Sequence, residues 1–320
     1  MQMPLLGLLI QGPLISIGRG SNNYGALGTR EDEIINFNSE EAILNNLNKY
    51  SSRFIEVIIS TWSDEVLTES FKKKIEEFKN VKIISFDKPP NSSFESKMYG
   101  DFLWNNNQLL QYSGCYQGLQ EFYEAEFIFR IRTDQEIDVD LFVEDSLENP
   151  EKISVPAIHE ANQHLCMDDF YFSGTKKKLL QFCKACSEKI YHRAPQINPL
   201  YVYGEKRYKD SIQGTGFEGY WINSIESRVV SFKVATLDLI PVSKNIYNAI
   251  IWRGEEPSEH WKNFHNYKLF KEDLPIEKSI SIFSSDQYKI INFFYSRNSS
   301  IFIKLIKYLL SRFVLKLNNS

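Results

Sequence analysis

The residues 127–138, "FIFRIRTDQEID", bring the most chemistry into the shortest space. In an extended chain Phe127, Phe129 and Ile131 share one side, and Ile128, Arg130 and Arg132 share the other. The run ends on Asp134, with Asp138 four residues on. A carboxylate at the end of an inner strand suits a hard divalent cation, Mn²⁺ or Mg²⁺, that bridges phosphate oxygens. An arginine on the same strand would neutralise remaining phosphate or pair with a neighbouring carboxylate. The pattern is Arg-Thr-Asp-Gln, not a plain Asp-x-Asp, so Asp134 stands as a metal ligand without the usual second one.

Three further apolar runs stop on polar residues. Leu5–Ile10 stops at Gln11-Gly12-Pro13, Phe54–Ser60 at Thr61-Trp62, and Val81–Phe86 at Asp87. Donors, a ring that can stack and carboxylates are the equipment for a polar ligand with a ring and a charge. Asp168 and Asp169 precede an aromatic strand, "FYFSG", and Glu218 falls in a Gly-rich stretch running into a short helix. Glu218 is either a complement to the helix dipole or a catalytic base. Asp168 or Asp169 could instead be the base or a second metal ligand, with Asp169 and Glu218 ranked first as base.

Other motifs carry less. "HEANQH" spaces His159 and His164 five apart, about 140° around a helix, so they do not share a face as zinc-protease ligands do. "GTGFEG" has the letters of a dinucleotide-binding loop but follows a polar segment, not a strand. Cys183-Lys-Ala-Cys186 lies inside a helical run, 175–190, with no second CxxC. The glycines of "GRGSNNYGALGTRED" lack the Lys-Ser/Thr ending of a phosphate loop, and the segment reads as a mobile surface loop.

The elements that must position these residues alternate. Helical spacing covers Ser39–Tyr50, with Ser39 as cap, then Asp64–Lys79 and Asn107–Tyr123, each between strand-like runs. Such alternation predicts an α/β fold, a mainly parallel twisted sheet with helices on both faces. Ligands of such sheets bind beyond the carboxyl ends of the strands, where the polar residues above fall.

The ordered series "LLIQGPL", "EVIISTWSDE", "IISFDKPP", "NQLLQYSGCYQGL" and "FIFRIRTDQEI" resembles the WavE lipopolysaccharide synthesis family of bacterial glycosyltransferases. The resemblance covers residues 5–145 well and continues loosely through "DDFYFSG" and "TGFEGYWINS". It implies a GT-A-like fold and a role in building lipopolysaccharide or a related surface glycan. Position by position it points to Gln11, Gly12, Pro13, Ser60, Thr61, Trp62, Asp87, Asn107, Gln111, Arg132 and Asp134 around a nucleotide-sugar, and to Asp169 and Glu218.

Composition bounds these readings. The chain has 320 residues, 42% hydrophobic and 24% charged, enough to bury a core. A formal charge of −4 lacks the basic excess of a nucleic-acid protein. Four cysteines without even spacing read as reduced thiols in a cytoplasmic protein, and the N-terminus lacks the pattern of a signal peptide. The C-terminal "IFIKLIKYLLSRFVLKLNNS" has four cations and no acid beside an apolar face, the composition of a helix lying on an anionic membrane.

Together these give residues 1–240 as a catalytic domain, with a nucleotide-sugar half to about 145 and an acceptor half after it. Residues 241–320 form a helical extension whose tail, 301–320, meets the inner membrane surface or packs on the enzyme or another copy of it. The expected reaction is sugar transfer from a nucleotide-sugar to a lipid-linked or oligosaccharide acceptor, with or without a divalent cation. The other classes are a sugar nucleotidyltransferase and an inactive glycan-binding or scaffold protein.

Overall fold

The structure is a computed structural model that describes residues 3–19, 34–90, 93–96, 102–105, 107–161, 164–190, 199–208, 230–254 and 268–275. The chain enters through β1 (Leu6–Gln11), β2 (Ile15–Arg19) and β3 (Ile34–Asn38), then α1 (Glu40–Tyr50), β4 (Glu56–Trp62), α2 (Glu69–Ile75) and β5 (Val81–Phe86). A small hairpin follows, β6 (Ser93–Ser96) and β7 (Phe102–Asn105), then α3 (Asn107–Gln120), β8 (Phe127–Arg132), β9 (Gln135–Glu136) and α4 (Val139–Leu147). The second half holds β10 (Ile153–Val155), β11 (Ile158–Ala161), β12 (His164–Met167), β13 (Phe172–Thr175), α5 (Lys176–Ile190) and α6 (Pro199–Tyr208). It closes with β14 (Leu239–Pro241), α7 (Lys244–Asn248), β15 (Ile251–Trp252) and β16 (Lys268–Leu269).

Seven strands form the main sheet in the order β14-β10-β13-β8-β1-β4-β5. All run one way except β13, which is antiparallel to both its neighbours. The alternation of each inner strand divides the core. Leu8, Ile10, Val57, Ile59, Phe127, Phe129 and Ile131 pack with α1, α2 and α4. Leu9, Ile58 and Ile128 face the other way, against α3 and α5. The mainly parallel sheet with helices on both faces is therefore present.

Two connections leave β1's neighbourhood in opposite directions. The chain passes from β1 to β4 by way of α1 on one face, and reaches β8, on β1's other side, by way of α3 on the opposite face. The order reverses between β1 and β8, and this is where an open α/β sheet leaves a crevice at the carboxyl ends of its strands. The parallel sense of β10 and β14 brings the segments after them, from Pro156 and from Val242, to the same edge.

Several local expectations shift. The second strand runs on through Thr61 and Trp62, pairing as far as Trp62 with Phe86, because β-branched and aromatic residues suit the pleat. The helix expected over 64–79 starts at Glu69, where the Thr68 hydroxyl accepts from the Phe71 N–H at 3.1 Å. Ser39 makes no side-chain cap; Asn38 Oδ1 accepts from the Glu40 N–H at 3.0 Å instead. The glycine-rich segment begins as a strand, Ile15–Arg19 paired antiparallel with β3, and residues 20–33 lie outside the described set. "HEANQH" belongs to an antiparallel strand pair, β11 and β12, not to a helix. Among the described residues no helix is long and apolar enough to cross a membrane. The tail 301–320 lies outside the described residues.

Candidate functional site

The turn after β1 is held from three sides. Gln11 is buried, and its Oε1 accepts from Arg130 Nη2 at 2.6 Å. The Gly12 N–H donates to the Ser60 carbonyl at 3.1 Å, and the Pro13 carbonyl accepts from the Thr133 hydroxyl at 2.6 Å. Gly12 has φ +149°, and a Cβ there would stand 2.7 Å from Thr133 Oγ1, so the close approach of the β1 and β8 turns requires glycine. Gln11-Gly12-Pro13 and Arg132-Thr133-Asp134 thus meet at the switch point, as the sequence expectation has it.

Asp134 is not placed as a metal ligand. It is 1% exposed, and each oxygen already takes charged or hydroxyl donors. Arg132 Nε reaches Oδ1 at 2.9 Å and Arg132 Nη2 reaches Oδ2 at 3.1 Å. Ser16 Oγ donates to Oδ2 at 2.6 Å, and Arg253 Nε approaches Oδ2 at 3.3 Å. Burial alone would push this carboxyl up; the Arg132 charge and hydrogen bonds, Ser16 and Arg253 outweigh it and hold it well below the usual carboxylate range. A divalent cation here would displace two guanidinium groups and meet their charge, so this donor set does not fit one. Among the described residues no group of three or more His, Cys, Asp or Glu could hold a metal.

Arg253 was not legible as a site residue. It arrives from the segment after β15, with φ +51°, uncommon for a side-chain-bearing residue, and its backbone N–H donates to the Asp134 carbonyl at 2.9 Å. Trp252, just before it, lies under Arg132, whose guanidinium carbon is 5.1 Å from the ring centroid. Two guanidinium groups meet one carboxylate beside the Gln11–Pro13 turn.

Trp62 could stack on a ligand or pack inside the fold. It is 3% exposed at the sheet–helix interface, where a Cβ on Gly114 would come within 3.1 Å of its ring. Gly114 and Gly118, one helical turn apart, let α3 press against β1 and β4, and the Ser60 hydroxyl donates to the Gly114 carbonyl at 3.2 Å. The ring expected beside a ligand is a packing element in this arrangement. Thr61 is buried too, its hydroxyl 3.3 Å from Glu65 Oε2, which also accepts the Leu14 N–H. Burial raises the Glu65 carboxyl above its ordinary value in spite of those two donors. Asp87 is exposed beyond β5 and accepts from Ser63 Oγ at 2.5 Å.

The two neighbouring aspartates turn to different partners. Asp169 accepts at Oδ2 from Tyr112 OH at 3.1 Å, while its carbonyl accepts from Gln111 Nε2 at 2.7 Å and Arg130 Nη1 at 2.8 Å. Burial raises its carboxyl, against the lowering charge of Arg130. Gln11, Gln111, Arg130 and Asp169 therefore form one buried network, and Arg130, 1% exposed, is its centre. Arg130 was conspicuous in the sequence but not assigned. Asp168 faces Lys268 Nζ at 2.6 Å, Tyr247 OH at 3.0 Å and His159 Nδ1 at 3.6 Å. Asn107 opens α3, and Glu218 lies outside the described residues. Cys183 and Cys186 are buried on α5, Cys183 Sγ 3.3 Å from Cys115 Sγ, as free thiols.

No family model matches the chain, and no curated protein matches it. Among solved structures, a 4-diphosphocytidyl-2C-methyl-D-erythritol synthase from Anaerococcus prevotii gives a TM-score of 0.39 at 9% identity, over 82% of this chain and 97% of that one. HddC from Yersinia pseudotuberculosis gives 0.32 at 9% identity, over 56% and 79%. Core-mannan synthase A from Aspergillus fumigatus, in its Mn/GDP form, gives 0.34 at 9% identity, over 63% and 70%. Likenesses at these TM-scores assign neither a family nor an activity.

Proposed function

We propose that this protein is a glycosyltransferase that moves a sugar from a nucleotide-sugar to a lipopolysaccharide or related surface-glycan acceptor. The observation that carries the reading is the switch-point edge, where Arg132 and Arg253 flank Asp134 beside the Gln11–Pro13 turn. Phosphoryl oxygens that gain charge as a glycosidic bond breaks need such positive groups, and guanidinium forks match them in shape. Asp87, exposed beyond β5, is available to the nucleoside. The acceptor oxygen bonds to the anomeric carbon, the bond from that carbon to the diphosphate oxygen breaks, and a base takes the acceptor proton. The WavE resemblance supports the glycan class of acceptor, and the basic amphipathic composition of 301–320 supports contact with an anionic membrane face where such acceptors grow.

Of the two forms the sequence leaves open, this reading takes the one in which the arginines stabilise the leaving diphosphate, without a cation on Asp134. The test is thermal shift of the purified protein with UDP-, GDP-, dTDP- and CMP-sugars, with Mn²⁺ and with EDTA. Stabilisation by one sugar nucleotide in EDTA, followed by release of the free nucleotide, is the expected result. A sugar nucleotidyltransferase is the second reading, because the same arginine pair would hold a nucleoside triphosphate. It would consume the triphosphate with a sugar phosphate and release pyrophosphate. Absence of any shift across the panel leaves a scaffold protein.

A further inference from the structure

We propose that His159, oriented by Asp168, takes the proton of the acceptor hydroxyl, so that the small sheet β12-β11-β16 is the acceptor side of the site. This rests on the glycosyltransferase reading and names the base within it.

The position follows from the topology. β10 runs parallel to β8, and His159 lies four residues past its end, on the edge where Gln11 and Arg132 also emerge. The β13–β8 register pairs Phe172 with Arg130, which brings the segment before β13 towards Arg132. The contacts agree, since Trp252 bridges the two, 5.2 Å from the Phe170 ring and 5.1 Å from the Arg132 guanidinium. Asp168, two residues before Phe170, is therefore at the rim of the arginine edge.

The side chains form a relay. His159 pairs in register with Cys166 on β12 and Lys268 on β16, so the three share a row across the small sheet. Asp168 is fixed by Lys268 and Tyr247 on Oδ2, which leaves Oδ1 towards His159 Nδ1. At 3.6 Å this is not yet a hydrogen bond, and Nδ1 is buried without another partner. Catalytic pairs of this kind tighten once substrate is bound. A carboxylate facing Nδ1 favours the Nδ1–H tautomer and leaves Nε2 with the lone pair. The ring keeps 26% of its side-chain surface exposed, so a hydroxyl can reach it.

The groups facing the ring are Asp168, Lys268, the more distant Asp169, and Cys166 opposite it. Burial, with Lys268, lowers the imidazole from its ordinary value against the pull of the two aspartates, so it is neutral near pH 7. The Cys166 thiol is pushed up to about 11 by burial and Asp168, so it is no nucleophile there, and a Cys-His-Asp triad is not what this row forms. Asp169 hands its carboxylate to Tyr112 on the α3 side, and Asp134 is saturated by arginines. In the step, the acceptor proton passes to Nε2 and the oxygen attacks the anomeric carbon. The electron pair of the breaking bond goes to the diphosphate oxygen beside Arg132 and Arg253, and Asp168 stabilises the imidazolium.

The experiment compares wild type with His159→Gln and His159→Ala, using whichever sugar nucleotide of the panel shifts the wild-type melting. Turnover of that donor should fall about 10²-fold or more in both variants, with donor affinity and melting temperature unchanged. The acid limb of the wild-type rate profile should disappear in His159→Gln, and added imidazole should restore part of the rate of His159→Ala. Wild-type turnover and an unchanged acid limb in His159→Gln would overturn the proposal while the glycosyltransferase reading stands. So would a rate loss that merely follows lost stability or lost donor affinity, with no imidazole rescue. A wild type that binds no sugar nucleotide overturns both.

Discussion

Arg132 grips Asp134 with two parallel hydrogen bonds, 2.9 and 3.1 Å, although the residues are only two apart in the chain. Arg253 closes on the same carboxylate from 119 residues away. The carboxylate is buried, and its charge balances guanidinium groups that are themselves largely withdrawn from water. Asp134→Asn should therefore destabilise the fold by about 3 kcal/mol, because removing one partner of a buried pair strands the other. Because the native carboxyl titrates below the unfolded value of about 3.9, its contribution is present above that pH and is lost as pH falls further. Urea melts at neutral and acid pH should show a smaller acid loss in the variant. Wild-type stability in Asp134→Asn would show the cage to be slack.

Arg253→Ala should weaken binding of the donor nucleotide roughly 10–100-fold, the worth of a charge-assisted hydrogen bond. Lysine should restore only part, since it lacks the fork. Excess EDTA should leave both binding and turnover of wild type unchanged. Titration calorimetry with the nucleoside diphosphate reads the first two effects, and a strict Mn²⁺ requirement would restore a cation to the mechanism.

Trp62→Ala should cost about 3–5 kcal/mol, as expected of a large ring lost from a packed interface. The donor-induced shift in melting should persist in the variant. Lost donor affinity with an unchanged urea midpoint would return the ring to the ligand.

Glu56 holds the turn that leads into β8, accepting from the backbone N–H groups of Tyr123, Glu124 and Ala125 at 2.9, 2.9 and 2.8 Å. Burial works against the charged form, but these donors and Lys176 lower the carboxyl overall. Glu56→Gln should cost about 1–2 kcal/mol at neutral pH, discounted for its partial exposure. That difference should shrink as pH falls through the native Glu56 value, and denaturant midpoints at two pH values will show whether it does.

Deleting residues 301–320 should release the protein from anionic liposomes while turnover with a soluble acceptor survives. High salt should weaken the binding of the full chain without abolishing it, because the apolar face is unscreened. A truncated protein that aggregates or changes oligomeric state would make the tail a packing element.

The alternation of strands and helices was legible in the sequence because periodicity is local: Val57, Ile58 and Ile59, or Phe127 to Ile131, announce a strand whatever surrounds them. The polar strand ends were legible for the same reason, and Gln11 and Arg132 pair at one edge. What those residues do there was decided by partners far along the chain. Trp62 is buried because Gly114 and Gly118 let a helix approach, and Asp134 meets a second guanidinium because the segment after β15 delivers Arg253. His159 and Asp168 acquire a role only when Lys268 and Tyr247, 100 and 79 residues from Asp168, close around them. A side chain's type is written in the sequence, but its charge state and access to solvent depend on which distant groups displace water around it, and only packing sets that.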